Sequence, residues 1–163
     1  GCVGLAILKH VSDEIHGVFA DLSEPALEVA RHNITALHLT GRALAFQADA
    51  AKPADPVLGR FQLIVCNPPY IPTEEIPTLD IEVQKEPHMA LDGGADGLDF
   101  YRAVSRNYAP ALTSGGTLAF EVGLGQFEAV MAILEQAGYS KVQYFCDLAG
   151  VERVVTGCWE QGL

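Results

Sequence analysis

The sequence has no run of 18 apolar residues, which excludes a membrane-spanning helix. It is poor in cations. Lys and Arg number 10 against 21 Asp and Glu, a formal net charge of −11. That balance argues against a chain that itself grips a nucleic-acid backbone, because phosphates are neutralised by clustered Lys and Arg. Cysteine is scarce and scattered, at Cys2, Cys66, Cys146 and Cys158, with no C-x-x-C. The five histidines, His10, His16, His32, His38 and His88, form no H-x-x-H or H-E-x-x-H pattern. No metal site is therefore expected, and the cysteines read as reduced, mostly buried thiols. What the sequence does have is a core: 49% of its 163 residues are apolar and 19% charged. A disordered chain would hold far less apolar content, and the length suits about one domain.

The pattern along the chain alternates. Cys2–His10 is apolar and helical in composition, and an opening helix so apolar normally needs a neighbour to cover it. A first strand, and any earlier domain, are therefore expected to precede Gly1. HGVFAD, ending at Asp21, reads as a strand. Ser23 offers an N-cap, Pro25 suits the first turn, and Leu27, Ala30, Ile34 and Leu37 recur at helical spacing. RALAFQ (42–47) and FQLIVC (61–66) read as strands. The second is apolar enough to predict cover on both faces, as in a parallel sheet. A helix is expected over 98–111, a strand over 115–122 and a helix over 125–137, closed by Gly138. Strands over 140–147 and 151–159 are joined by three residues, too few for a parallel crossover, so the last strand is antiparallel. The order predicts a Rossmann-like α/β sheet, mostly parallel, with its final strand reversed. Residues 71–97 break the rhythm. A stretch that long exceeds the usual connection of about 4–6 residues and reads as a loop that covers a substrate.

Asn67-Pro68-Pro69-Tyr70 follows FQLIVC directly, at the carboxyl end of a strand, where open α/β sheets bind ligands. The Asn67 carboxamide oxygen accepts an N–H. Pro68 and Pro69 lack N–H groups and hold φ near −65°, which stiffens the turn and frees the Pro68 carbonyl as a second acceptor. Tyr70 supplies a flat face. Two acceptors and a wall describe a socket for an NH2 group on a planar carbon. Such a nitrogen is a poor nucleophile because its lone pair is delocalised, and gripping both hydrogens orients it.

Two carboxylates fit a nucleoside. Asp21 lies 20 residues after Gly1, about the offset at which an acid meets a ribose hydroxyl in nucleotide folds. Asp49 is read as ending the next strand, in position to accept from an adenine amino group. Gly1 and Gly4 form the weak pattern G-C-V-G.

Together with GCVGLAI, FADLSEPALEVARHN, EPHMALDGGADGLDFYR, FEVGLGQ and VERVVTG, these residues resemble the class I methyltransferases that use S-adenosyl-L-methionine. Within that class, the chain resembles the HemK/PrmC family, the glutamine-N5 methyltransferases of peptide chain release factors. The resemblance covers residues 1–163 as one methyltransferase domain. It implies a seven-stranded sheet, whose first strand and a helical substrate-binding domain would precede Gly1. It further implies that Gly1 closes the cofactor loop, that Asp21 holds the ribose, and that Asp49 and Ala50 line the adenine pocket. Asn67 and the main chain of Pro68 would hold the substrate amide, with Pro69 and Tyr70 completing the socket and Asn67 also facing the cofactor. Asn67, Pro68 and Tyr70 would be the catalytic set. Glu86 and Arg153 match family positions, with a structural salt bridge as their expected role.

The expected partner is a release factor, methylated at the glutamine of its Gly-Gly-Gln motif, with neither nucleic acid nor membrane bound. The expected compartment is the cytoplasm or an organelle matrix. Two other readings fit the same fold. One is an adenine-N6 nucleic-acid methyltransferase, gripping the amino group of a flipped base; the −11 charge stands against it. The other is a non-catalytic interaction module, against which the intact tetrapeptide and both acids stand.

Overall fold

A computed structural model of the chain describes residues 1–160; residues 161–163, the last of the expected domain, lie outside the described residues. The chain divides into two compact units, Gly1–Lys52 and a second that begins at Pro53.

The first unit holds α1 (Cys2–His10), β1 (Gly17–Asp21), α2 (Glu24–Ala36) and β2 (Ala43–Gln47). The helical spacing predicted for α2 is the one it buries: Leu27, Ala30 and Ile34 are inside. Ser23 caps it, its hydroxyl accepting the Ala26 N–H at 3.4 Å. The far end closes with two backward bonds, from the His38 N–H to the Thr35 carbonyl and from the Leu39 N–H to the Ile34 carbonyl. His38 takes the left-handed φ of 59° that this closure needs and that glycine usually supplies. β1 and β2 pair in parallel, from Gly17 opposite Ala43 to Asp21 opposite Gln47. Leu5, Leu8, Phe19, Ile34 and Leu39 form the core. Arg42 ties the 11–16 turn down, donating to the carbonyls of Leu8, Ser12 and Ile15 and pairing with Asp13.

The second unit holds β3 (Phe61–Cys66), α3 (Asp99–Asn107), β4 (Leu112–Glu121), α4 (Phe127–Gln136), β5 (Ser140–Cys146) and β6 (Glu152–Trp159). Its sheet order is β3-β4-β6-β5. β3 and β4 are parallel, while β6 runs antiparallel to both neighbours, as the three-residue connection requires. The core is sharply defined. Leu118 and Phe120 of β4, Val155 of β6, Val130 and Leu134 of α4 and Tyr101 of α3 have no exposed surface. Tyr101 meets Phe120 edge to face at 5.1 Å, the geometry aromatic quadrupoles favour.

The described strands number six, the number read from the sequence pattern, in ladders of two and four. Several expectations are corrected. The apolar run of β3 is not covered on both faces among the described residues, since Leu63 and Val65, which share one face, are exposed. The helix expected over 98–111 stops at Asn107 and passes into a tighter turn, Ala109–Ala111, because Pro110 has no N–H to extend it. Cys2 and Cys146 are exposed and only Cys66 and Cys158 are partly covered, because Cys2 sits at the start of α1 and Cys146 at the end of β5. Residues 71–97, read as one irregular stretch, have local order of their own. They contain short helical turns at Ile76–Thr78, Val83–Lys85 and His88–Ala90. Asp92 pins them by accepting from the Thr73 hydroxyl at 2.7 Å and the Gly94 N–H at 3.0 Å.

Candidate active site

In the first unit the parallel register brings Asp21 and Asp49 to the same end of the sheet. Asp21 is the last residue of β1; Asp49 lies two residues beyond the end of β2 rather than within it. Each acid spends one oxygen locally. Asp21 Oδ1 accepts the Ser23 N–H at 2.8 Å and Asp49 Oδ1 accepts the Ala51 N–H at 2.9 Å. These short turns fix the carboxyl groups. The second oxygen of Asp21 has no partner among the described residues, and that of Asp49 lies 3.6 Å from the exposed Lys52 ammonium. Acceptor oxygens held this way fit the hydroxyl and amino donors of a nucleoside. Ala50 beside Asp49 is partly buried. Gly1 is exposed and caps α1, its carbonyl accepting the Leu5 N–H at 3.0 Å.

In the second unit the tetrapeptide leaves the end of β3 with a graded exposure. Asn67 is exposed, Pro68 buried, and Pro69 and Tyr70 partly buried. The Asn67 carboxamide makes no hydrogen bond among the described residues, so its oxygen and its NH2 both remain for a ligand. The buried Pro68 fixes the backbone beside Asn67, while the carboxamide itself stays free to turn towards a ligand. Just before it, burial pushes the Cys66 thiol up to about 12. That sulfur therefore stays protonated and is a poor nucleophile at neutral pH.

One residue that sequence reasoning passed over sits at the turn's exit. Gln126, at the start of α4, donates from Nε2 to the Tyr70 carbonyl at 2.9 Å. Its Oε1 accepts the Gly123 N–H at 3.1 Å and the Tyr101 hydroxyl at 3.4 Å. The signal available beforehand was only its place in FEVGLGQ. Elsewhere, Glu86 has no ion pair among the described residues and lines a cavity of about 180 Å³ with Thr73, Ile76, Pro77, Gln84, His88 and Leu91. Arg153 faces Asp147 at 3.7 Å rather than Glu86, so the expected bridge holds only for the arginine. Among the described residues, no group of three or more His, Cys, Asp or Glu gathers as a metal site would, and no helix is long and apolar enough to cross a membrane.

Residues 1–84, half of the sequence, match the methyltransferase small domain family. The chain belongs to that family. It is 40% identical over 159 residues to a protein of Cereibacter sphaeroides called release factor glutamine methyltransferase, covering 96% of this chain and 55% of that one. A protein of the same name from Bradyrhizobium diazoefficiens is 44% identical over 158 residues, covering 96% and 52%. The chain thus spans about half the length of the curated relatives it matches. A methyltransferase of Pyrococcus furiosus of known crystal structure shares the fold with a TM-score of 0.67 at 16% identity, covering 98% of this chain and 69% of its own. The α/β fold expected from the alternation of elements, with the reversed last strand that the resemblance to methyltransferases also implies, is the one observed.

Proposed function

We propose that the protein to which this chain belongs transfers a methyl group from S-adenosyl-L-methionine to the side-chain amide nitrogen of the glutamine in the Gly-Gly-Gln motif of a peptide chain release factor. The observation that carries this reading is the free carboxamide of Asn67 held on a turn anchored by buried Pro68. Relatives at 40% and 44% identity bear the name release factor glutamine methyltransferase, which supports the same substrate. When bound, the cofactor supplies an electrophilic methyl carbon. Gly1, Asp21, Asp49 and Ala50 of the first unit would hold it, Asp21 accepting from the ribose and Asp49 from the adenine.

The substrate nitrogen arrives with two hydrogens and a delocalised lone pair. The Asn67 oxygen and the Pro68 carbonyl accept one hydrogen each, and Pro69 and Tyr70 wall the planar amide. In the reaction the nitrogen forms a bond to carbon, the sulfur takes the pair of the broken carbon–sulfur bond, and one amide hydrogen leaves as a proton. Asn67 is neutral, so its work is orientation, and orientation in a site can be worth about 7–11 kcal/mol. No covalent intermediate on the protein is needed, and the protonated Cys66 next to the turn would make a poor one. The partner is a protein and not a nucleic acid, consistent with the −11 charge. The compartment is a reducing one, cytoplasm or organelle matrix, in keeping with four free cysteines.

The test is transfer of a labelled methyl group by the full-length protein to purified release factor, DNA and RNA in parallel. Label on the release factor alone, at the glutamine of the Gly-Gly-Gln motif, is the expected result. Label on adenine instead, or on none of the three, overturns the reading.

A further inference from the structure

We infer that Gln126 is a positioning residue for this reaction: its side-chain amide holds the Tyr70 carbonyl and so fixes the turn that presents Asn67. The inference rests on the function proposed above. Its geometry lies wholly within the second unit.

The turn is short of its own anchors. Pro68 and Pro69 bring no N–H, so the tetrapeptide is secured at its exit. There the Ile71 N–H donates to the Leu91 carbonyl at 3.0 Å and the Tyr70 carbonyl accepts from Gln126 Nε2 at 2.9 Å. The amide of Gln126 has only one orientation that works. The Gly123 N–H can only donate and the Tyr70 carbonyl can only accept, so the oxygen must face Gly123 and the nitrogen Tyr70. The Tyr101 hydroxyl has one hydrogen, directed chiefly at the Glu121 carbonyl at 3.0 Å and shared only weakly with Oε1 at 3.4 Å. One side chain thereby links the end of β4, helix α3 and the turn after β3.

Three glycines remove the slack around Tyr70. A Cβ at Gly93 would stand 2.8 Å from the Tyr70 Cα, one at Gly97 2.3 Å from its carbonyl oxygen, and one at Gly123 2.9 Å from its ring. At Gly97 the same Cβ would also stand 2.8 Å from Gln126 Nε2. Backbone has closed on both sides of this bond. A displacement of about 1 Å in a positioned group can cost about 10²-fold in rate, and the Tyr70 carbonyl is three residues from the carboxamide it steadies.

The test uses the full-length protein and two variants. Gln126→Glu keeps an oxygen for Gly123 and Tyr101 but replaces the donor with a charge facing a carbonyl. Tyr101→Phe removes a donor to Oε1 and leaves the Tyr70 bond intact. The expected result for Q126E is a kcat about 10²-fold lower, with little change in the KM for release factor and faster hydrogen exchange at the Ile71 N–H. Y101F should fall far less in kcat and leave that exchange near wild type. Wild-type kcat in Q126E, unchanged exchange at Ile71, or equal losses in both variants overturns the inference. If the wild-type protein methylates no release factor, the proposed function fails, while the exchange comparison still decides whether Gln126 holds the turn.

Discussion

Asn67 derives its use from its neighbours. Its carboxamide has no partner among the described residues, and the burial of Pro68 steadies the backbone beneath it. Asn67→Ala removes the acceptor without disturbing that anchor. It should lower kcat by about 10²-fold, in the range seen when one positioned polar group is removed from a site, while S-adenosyl-L-methionine affinity measured by calorimetry falls less. Equal losses in both would mean that Asn67 serves the cofactor first. The place of Asn67 and Pro68 at a strand end was legible in the sequence because the apolar run FQLIVC directly precedes them. Gln126 was not, since its partner Tyr70 is 56 positions away. A glutamine in a glycine-rich stretch shows nothing of what it will touch.

The elements differ in how openly they were written. α2 was plain, because its cap, its proline and its buried stripe are all local. The 71–97 segment was opaque, because its order comes from Asp92, Gln84 and the backbone of Gly93 and Gly94 rather than from any period. The entry to α3 carries a testable charge effect. Asp96 meets Arg102 and accepts the Leu98 N–H at 3.1 Å. The Arg102 guanidinium, chiefly by hydrogen bonding, holds the Asp96 carboxyl down to about 2. A carboxyl lowered by folding stabilises the fold fully above its ordinary value near pH 4 and loses that contribution as pH falls towards about 2. Both side chains are more than a third exposed, so solvent screening keeps the effect small. Asp96→Asn should therefore show a small Tm deficit at pH 6 that shrinks between pH 4 and about 2. A deficit that stays constant to pH 2 would show that the ion pair is not its source.

At the scale of the whole molecule the charge is the broadest property. A chain with a net −11 should give no band shift with DNA or RNA even at about 50 mM salt, where phosphate-binding proteins hold most tightly. A salt-sensitive shift would reopen the nucleic-acid reading. Fold class was also legible at this scale, because alternating elements and a three-residue final connection leave few topologies. The exposure of Leu63 and Val65 was not. An apolar strand reads the same whether one face or both are covered, and only the packing of other elements against it distinguishes the two.

The linear order of residues settled the alternation of strand and helix, the reversal of the last strand, the caps of α2 and the place of residues 67–70 at the end of β3. Each depends on neighbours within a turn or two, where stereochemistry and side-chain type act directly. Three-dimensional packing decided the rest: that β6 lies between β4 and β5, that Asp92 orders a long irregular segment, and that Gln126 closes on Tyr70 between three glycines. Those contacts join positions far apart in the chain, and their energy appears only when the core of Phe120, Tyr101 and Val155 has brought the backbone together.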